Sequence, residues 1–271
     1  MLRVHPIHSL DLPELAPYRT MRRQMEQREQ GIFVAEGEKV VRRLLESPLA
    51  VVSLLLPEKW AHEYEPLLRA RPETIPVYVA EKAVLETLTG FSMYQGVLAI
   101  GKVPPARKLE SLLQTRVQPC LFAAVDALAN AENLGALVRN AAAFGVQALL
   151  VGNTSSSPFL RRAVRSSMGT IFRLPVVEQL ALPQALRELR AHGIRCVAAH
   201  PHADGSRLSQ ADFAHDCCIV FGSEGYGLSA EVLEACDEAV AIPMAAEVDS
   251  LNVGSAAAAF FYEATRQRGR A

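Results

Sequence analysis

The sequence predicts an α/β protein in which a parallel sheet forms the C-terminal part and a smaller α/β unit precedes it. In the second half of the chain, short and wholly apolar runs alternate with helical patterns. Strands without polar alternation are buried on both faces, as in a parallel sheet covered by helices. Between the halves, the segment 101–108 combines two prolines with three basic residues, which is typical of a linker.

The N-terminal region alternates strand-like and helical segments and has the size of one domain. The strands that we expect there are 32–35, 50–56, 75–79 and 96–100. The helices that we expect there are 14–30, 38–46, 58–69 and 82–88.

After the linker, five apolar runs predict the strands of the parallel sheet, at 120–125, 147–151, 195–199, 217–221 and 239–242. We therefore expect an N-terminal domain over 1–103, a linker over 104–115 and a C-terminal domain over 116–271.

Composition and charge exclude several classes of protein. Lys and Arg number 28 against 29 Asp and Glu, and half of the 271 residues are hydrophobic, which argues against disorder. No apolar run approaches the roughly 18 residues of a membrane helix, and the N-terminus lacks the apolar core of a signal peptide. We therefore expect a soluble, cytoplasmic protein. Five cysteines at unpaired spacings argue against a disulfide scaffold.

A metal site is not expected. The nearest candidate ligands are His200, His202, Cys217 and Cys218. Their spacing matches no standard zinc pattern, and cysteines at the start of an apolar strand are more often part of the core.

Clusters of arginine keep a nucleic-acid partner open despite the near-neutral net charge, because local charge is what binds phosphates. Arg161 and Arg165 are one helical turn apart with Arg162 beside them, and Arg22 and Arg23 lie in a second basic stretch. A solvated helix face is the alternative interpretation of such clusters. On the RNA interpretation, these arginines contact the phosphate backbone.

In a doubly wound sheet the ligand lies at the carboxyl ends of the strands. The first candidate loop follows the strand 120–125 and leads into a helix, which Asn130 or Asn133 can cap. Arg139 lies off the apolar stripe of this helix, with a glycine four residues before it and an alanine four residues after it. This leaves room for a ligand beside the guanidinium. An exposed arginine on a surface helix is the alternative.

The second candidate loop, 222–229, has glycines at positions 222, 225 and 227. Glycines let backbone amides approach a ligand closely, and Ser229 is placed to cap the next helix. The spacing matches neither the dinucleotide fingerprint nor the phosphate loop, which disfavours a nucleotide-dependent oxidoreductase. Glu224 either orders a backbone or ligand group or is a carboxylate exposed on a turn.

The third candidate loop follows the strand 239–242 and places Ser250 and Asn252 on either side of Leu251, just before a helix rich in small residues. That helix is apolar nearly all round, which predicts burial in the core or against another subunit. Because it ends the sequence and carries a basic tail, we expect a subunit interface.

These three loops, in this order, resemble those of the SpoU/TrmH-type RNA ribose methyltransferases of the SPOUT superfamily. The residues that carry the resemblance are 133–135 with Arg139 and 144–145, then 221–225 with 227–229, then 242–244 with 250–252. The segments 167–169, 174–176, 34–39 and 94–97 are similar to further patterns of the family. The resemblance covers roughly residues 15–268.

The resemblance implies a trefoil-knotted SPOUT methyltransferase domain that forms a homodimer through the knotted domain and the C-terminal helix. It implies an N-terminal substrate-binding domain built like certain ribosomal RNA-binding proteins. S-adenosylmethionine is the implied cofactor, no metal is required, and the implied reaction methylates a ribose 2′-hydroxyl of RNA, with ribosomal RNA favoured over transfer RNA. One departure from the family pattern is Gly254, where a serine is common.

The resemblance also assigns roles to residues of this sequence. The implied catalytic residues are Arg139, Asn133, Glu224, Ser250 and Asn252. The implied cofactor-binding residues are Phe221, Gly222, Ser223, Gly225, Gly227, Ile242, Met244, Leu251 and Asn252. The implied RNA-binding residues are Arg161, Arg162, Arg165, Arg22 and Arg23.

The expected part of Arg139 follows from the chemistry of its side chain. Because arginine stays protonated in proteins, it serves to hold an RNA phosphate and to stabilise charge on the attacking oxygen, not to remove a proton. Asn133 and Glu224 are expected to shape the site and to order Arg139.

Two other functions stay open at this stage. One is a non-catalytic RNA-binding or ribosome-assembly protein that keeps the fold, which a titration with S-adenosylmethionine distinguishes. The other is a methyltransferase of the same superfamily that modifies a base, which mass analysis of the methylated nucleoside distinguishes.

Overall fold

The computed structural model describes residues 3–89, 96–201, 206–245 and 248–269. Three residues considered in the sequence analysis lie outside these ranges, namely Tyr94 and Gln95 of the segment 94–97, and His202. The chain divides into two compact units, one made of Met1–Pro104 with Phe159–Arg173 and the other of Pro105–Pro158 with Leu174–Ala271. No helix in the described ranges is long and apolar enough to span a membrane.

The first unit is built on a mixed five-stranded sheet in the order β1-β4-β3-β5-β2. Its strands are β1 (Arg3–Pro6), β2 (Ile32–Glu36), β3 (Val51–Leu56), β4 (Pro76–Val79) and β5 (Leu98–Lys102). Its helices before residue 105 are α1 (Ala16–Arg19), α2 (Gln24–Glu29), α3 (Glu38–Leu45), α4 (Glu58–Arg69) and α5 (Lys82–Thr89). β1, β3 and β4 run parallel, whereas β5 is antiparallel to both β3 and β2.

The predicted helix 14–30 is wrong as a single element. The chain forms a 3-10 turn at Pro13–Leu15, then α1, then α2. Between α1 and α2 the backbone turns, with the amide of Arg23 donating to the carbonyl of Thr20 at 2.7 Å. The remaining predicted helices of this region agree with α3, α4 and α5 to within a residue.

The predicted strands 32–35, 50–56 and 75–79 are confirmed with small shifts as β2, β3 and β4, and 96–100 moves two residues onward as β5. β1 was not predicted from the sequence. All four residues of β1 are exposed, so no apolar pattern marks it as a strand.

The second unit contains a seven-stranded sheet in the order β10-β12-β9-β11-β6-β7-β8, with every neighbouring pair parallel. Its strands are β6 (Leu121–Val125), β7 (Ala148–Gly152), β8 (Val176–Leu180), β9 (Arg195–Ala199), β10 (Ser206–Arg207), β11 (Cys217–Phe221) and β12 (Glu238–Ala241). The α-helices after residue 105 are α6 (Leu109–Thr115), α7 (Ala131–Ala143), α8 (Arg161–Ser166), α9 (Leu182–Ala191), α10 (Ala230–Ala235) and α11 (Val253–Gln267). Of these, α8 belongs to the first unit, as does a 3-10 turn at Thr170–Arg173.

The predicted parallel sheet is confirmed. The five apolar runs correspond to β6, β7, β9, β11 and β12, and all residues of β6, β7 and β11 are buried. Two strands were missed, because β8 is only partly buried and β10 has just two residues. The segment 104–115, predicted as a linker, is not irregular throughout, because its last seven residues form α6.

One segment departs from the predicted domain range 116–271. The residues Phe159–Arg173, which include α8, belong to the first unit. There the ring of Phe33 lies 5.7 Å from that of Phe159 and 5.3 Å from that of Phe172. The Nη1 atom of Arg43 donates to the carbonyl of Met168 at 2.6 Å. These contacts join residues far apart in sequence, so local patterns did not reveal them.

The order of the second sheet brings the predicted loops together. β11 lies between β6 and β9, and β12 lies on the other side of β9. At the carboxyl ends of β6 and β11, the amide of Asp126 donates to the carbonyl of Phe221 at 2.9 Å. The candidate loops after β6, β11 and β12 therefore start from one edge of the sheet, where parallel α/β folds bind their ligands.

Candidate active site

The first loop is shaped by the cap of α7. The side chain of Asn130 accepts from the backbone amides of Glu132 at 2.9 Å and Asn133 at 3.2 Å. These are among the amides that the start of a helix leaves without a partner. Asn130 is thus the cap, and the side chain of Asn133 remains available for other contacts.

The second loop is a closed turn. The amides of Ser223 and Gly227 each donate to the carbonyl of the other residue at 3.0 Å. Gly227 has a φ of +67°, and a Cβ on Gly222 would lie 2.2 Å from the carbonyl carbon of Gly227. Both positions require glycine, because one adopts a left-handed conformation and the other is in backbone contact.

The role predicted for Ser229 needs correction. Its side chain makes no capping bond to α10. The hydroxyl and the amide of Ser229 instead donate to Oδ2 of Asp126 at 2.8 and 2.9 Å. Asp126 follows β6 directly and is only 7% exposed. This carboxylate, which the sequence analysis did not single out, ties the end of the glycine loop to the end of β6.

The third loop ends at the cap of α11. The Oδ1 atom of Asn252 accepts from the amide of Gly254 at 2.9 Å. A Cβ at Gly254 would lie 3.0 Å from the Cβ of Ala136 on α7, and Asn140 donates to the carbonyl of Gly254 at 2.7 Å. The close approach of α11 to α7 therefore explains a glycine where the family pattern has a serine.

A chain of three polar side chains links the loops. The Nδ2 atom of Asn133 donates to Oε1 of Glu224, and the Nδ2 atom of Asn252 donates to Oδ1 of Asn133 at 3.0 Å. An ionised carboxylate only accepts, so the amide of Asn133 must turn its nitrogen to Glu224 and its oxygen to Asn252. The hydrogen bonds thus fix the orientation of all three side chains.

The second and third loops surround a cavity of about 520 Å³. Every residue that the resemblance assigns to the cofactor lines it, together with Glu224 and Ser250 of the assigned catalytic residues. The lining also includes residues that no motif predicted, among them Pro201, Tyr226, Asp249 and Phe260. His200, which the sequence offers only as a candidate metal ligand, lines the cavity as well.

Arg139 does not line this cavity. It is exposed on α7 and has no hydrogen-bond or ion-pair partner within the described ranges. The expected contacts from Asn133 and Glu224 to Arg139 are not present, because these two side chains bind each other. Leu134, Leu137 and Val138 are fully buried on the other side of the helix, which confirms the predicted stripe.

The arginines predicted to bind RNA differ in their surroundings. Arg161 donates to Oε2 of Glu36, and Arg165 lies 3.1 Å from Oε1 of the same carboxylate. The Glu36 side chain is only 10% exposed, so these pairs hold α8 in the first unit. Arg162 is exposed on the same helix. Arg22 and Arg23 are exposed as well, and Arg23 pairs with Glu26 at 2.9 Å.

The cysteines of the second unit are buried or half-buried free thiols. Burial raises the pKa of Cys217 to about 11 and the pKa values of Cys120 and Cys236 to about 12. It also raises the pKa values of Cys196 and Cys218. Such thiols stay protonated at neutral pH and are poor nucleophiles. No group of three or more candidate metal ligands occurs among the residues that the structure describes.

Comparison with known proteins identifies the family. The model of the SpoU rRNA Methylase family matches residues 121–262. An uncharacterized tRNA/rRNA methyltransferase of Mycobacterium tuberculosis is 35% identical over 240 residues, which cover 87% of this chain and 81% of the relative.

Solved structures agree with this assignment. The SpoU methyltransferase AviRb from Streptomyces viridochromogenes, in complex with the cofactor AdoMet, is 27% identical with a TM-score of 0.81, over 95% of this chain and 98% of that one. A structure described as an RNA 2′-O ribose methyltransferase is 29% identical with a TM-score of 0.79, over 97% of this chain and 99% of that one. Because the family model spans more than half of the chain and the mycobacterial relative is 35% identical over most of its length, the chain belongs to the SpoU rRNA methylase family.

Proposed function

We propose that this protein is an S-adenosylmethionine-dependent methyltransferase that methylates a ribose 2′-hydroxyl of RNA, with ribosomal RNA favoured over transfer RNA. The observation that carries the proposal is the cavity of about 520 Å³, lined by all nine residues assigned to the cofactor. The AdoMet complex of AviRb and the structure described as a 2′-O ribose methyltransferase support the cofactor and the reaction.

The residues around the cavity fit S-adenosylmethionine. A volume of this size is typical of small-molecule sites. A Cβ at Gly225 would meet nothing within 4 Å, so the loop leaves open space beside its backbone. Ile242, Leu251 and Phe260 supply apolar walls for the adenosine. When bound, the cofactor supplies a methyl group on a positively charged sulfur.

The chain of hydrogen bonds through Asn133 gives the site its shape. Glu224 and Ser250 both line the cavity, and Asn133 holds the carboxylate of Glu224 in place. We assign Ser250 and Asn252 to substrate and cofactor contacts. Because the three loops share these bonds, a change in one loop disturbs the other two.

Arg139 remains our candidate for the central catalytic residue. Its guanidinium is permanently charged and free of protein partners within the described ranges, so it is available to an RNA phosphate. Bidentate contact to a phosphate is the geometry that arginine favours. From there it stabilises negative charge that develops on the ribose oxygen, while a phosphate oxygen or a water molecule takes the proton.

A homodimer formed through the knotted domain and α11 is also part of the proposal. The exposure of side chains on α7 and α11 supports our choice of the dimer surface. Phe260 and Phe261 of α11 are buried within their own unit, whereas Tyr262 is 52% exposed and contacts Phe144 edge-on. Ala142 and Ala143 of α7 are exposed as well. We assign this surface to the dimer, and we retain the trefoil knot as an expectation from the family.

The first unit is our candidate for the RNA-binding domain. Arg162 is exposed on α8, and Arg22 is exposed near the N-terminus. Phosphate contacts by such residues give affinity without sequence specificity. We therefore assign positioning of the RNA to this unit and the chemistry to the second unit.

One experiment tests the proposed function. The protein is incubated with methyl-labelled S-adenosylmethionine and total RNA from cells that lack its gene, and the labelled nucleoside is identified by mass spectrometry. Label on a ribose is the expected result. Label on a base would favour a base-modifying enzyme, and cofactor binding without transfer would favour an RNA-binding protein that kept the fold.

A further inference from the structure

Tyr226 occupies an unusual place in the glycine loop. Among the large hydrophobic side chains in the described part of the chain, it is the most exposed, at 98%. It also lines the cavity. A side chain that does both stands at the open rim of the cavity. The aromatic ring therefore faces whatever approaches the cavity from solvent.

The exposure of Tyr226 does not come from a loose loop. Its amide donates to the hydroxyl of Ser223 at 3.2 Å, and paired backbone bonds join Ser223 to Gly227 on either side of the tip. Glu224, two residues before it, is held by Asn133. The loop is thus braced at its base, and the tyrosine ring projects into solvent from a backbone that is held in place.

The chemistry of the proposed reaction calls for such a ring. A ribose can reach a methyl donor inside a concave site only if its nucleotide leaves the regular stack, which costs unstacking energy. Proteins that bind unstacked nucleotides recover this energy by stacking the base on an aromatic side chain. Every base has a π-face, so an aromatic ring stacks on any of the four bases.

We propose that Tyr226 is the stacking platform for the base of the nucleotide whose ribose is methylated. The proposal rests on the proposed function and deepens it. It assigns to the second unit a direct contact with the RNA base, in addition to the phosphate contacts of the first unit. The ring, and not the hydroxyl, is the part of the side chain that matters.

The test compares Tyr226→Ala with Tyr226→Phe. We expect Tyr226→Ala to raise the KM for total RNA about tenfold, from the usual strength of a base–aromatic stack. We expect the Kd for S-adenosylmethionine, measured by calorimetry, to stay unchanged. Tyr226→Phe keeps the ring, so we expect it to keep the wild-type KM. If the hydroxyl were needed for folding, Tyr226→Phe would be impaired as well.

Salt dependence separates stacking from a phosphate contact. Loss of one phosphate contact lowers the slope of log Kd for single-stranded RNA against log salt concentration by about 0.7. Loss of a stack leaves that slope unchanged, and this is the expected result for Tyr226→Ala with a fluorescein-labelled oligoadenylate.

A fluorescence experiment tests the same contact. A protein with the substitutions Trp60→Phe and Tyr226→Trp has its single tryptophan at the rim of the cavity, and RNA is expected to quench its fluorescence.

The outcomes distinguish the two proposals. If the wild-type protein binds no S-adenosylmethionine and labels no RNA, the proposed function is overturned, and the platform with it. If the wild type is active but Tyr226→Ala keeps the wild-type KM, the platform alone is overturned. A Tyr226→Ala protein that loses cofactor affinity would also overturn it, because the ring would then cover the cofactor and not the base.

Discussion

Asn133 lies at the centre of the site on the scale of single residues. It bonds both to Glu224 in the second loop and to Asn252 in the third. The side chain of Asn133 is half-buried and that of Glu224 is exposed. Each bond is therefore worth about 1 kcal/mol. Together, the two bonds hold the side chains of Asn133, Asn252 and Glu224 in one relative orientation.

We predict that Asn133→Asp lowers kcat/KM for methyl transfer about tenfold, because a second carboxylate would face Glu224 and repel it. The matched control is Asn153→Asp. Asn153 is exposed in the same unit, and the substitution makes the same change in charge. Initial rates at RNA concentrations well below KM provide the measurement, because there the rate is proportional to kcat/KM. Equal losses in both variants would show that the charge alone is responsible.

Asp126 is the buried residue that fixes the end of the glycine loop. Removing its carboxylate takes away the acceptor of two hydrogen bonds from Ser229, each worth about 1 kcal/mol since Ser229 is exposed to solvent. For a unit of this size we predict that Asp126→Ala lowers the Tm by about 2–4 °C for each kcal/mol lost.

Ser229→Ala is the control for Asp126→Ala, since it removes only the hydroxyl donor and keeps the amide bonded. Its Tm is expected to fall less. Calorimetric or fluorescence melting compares the two variants. A larger loss in Ser229→Ala than in Asp126→Ala would contradict the part assigned to the carboxylate.

At the scale of elements, α8 shows how the structure changes an expectation from the sequence. Arg161 and Arg165 were expected to bind RNA, yet both pair with the largely buried Glu36. Replacing both arginines with alanine would leave the carboxylate of Glu36 without these two partners and would destabilise the first unit. A lower RNA affinity of that variant would then have two causes that binding data alone do not separate.

Arg162→Ala is the cleaner test of RNA binding by α8. We predict weaker binding, with the slope of log Kd against log salt reduced by about 0.7–0.9, at an unchanged Tm. Arg187→Ala on α9 is the control, because Arg187 is exposed and has no partner within the described ranges. If both variants bind RNA equally well, α8 does not contact the phosphate backbone.

The apolar strands were predictable from the sequence, and the exposed or very short ones were not. β9 and β11 have the predicted bounds and β6 begins one residue later, because runs made mostly of apolar residues leave few alternatives. The exposed β1 and the two-residue β10 lack that signal. The loops of the site were identified by their motifs, but the bond between Asp126 and Ser229 spans 103 residues and leaves no local pattern.

On the scale of the whole molecule, the second unit keeps its cysteines in the core. Cys120, Cys196, Cys217 and Cys218 are at most 1% exposed, and burial raises the pKa of each thiol. Their protonated form is therefore favoured in the folded state. The stability that this contributes is present below the unfolded pKa of about 8.5 and is lost as the pH rises toward the folded values.

We predict that the native protein at pH 8 resists alkylation of these four cysteines by iodoacetamide, whereas the protein unfolded in guanidinium is fully alkylated. Mass spectrometry counts the modified residues. Rapid alkylation of any of the four in the native state would show that the second unit opens more readily than its packed core implies.

The oligomeric state belongs to the same scale. We predict that the wild type sediments as a dimer and that Tyr262→Glu, which places a charge on the proposed surface, shifts it toward monomer. Val117→Glu is the control, because Val117 is 65% exposed in the same unit and lies on neither α7 nor α11. A dimer that Tyr262→Glu leaves intact would place the interface elsewhere.

A calorimetric titration with S-adenosylmethionine probes the site most directly, since the chemistry proposed for the second unit depends on the ligand of the cavity. The expected result is saturable binding of a single molecule per chain, abolished in a Gly222→Val protein whose circular dichroism is unchanged. Binding that is absent in the wild type, or that persists in Gly222→Val with the same affinity, would contradict a cofactor site formed by these loops.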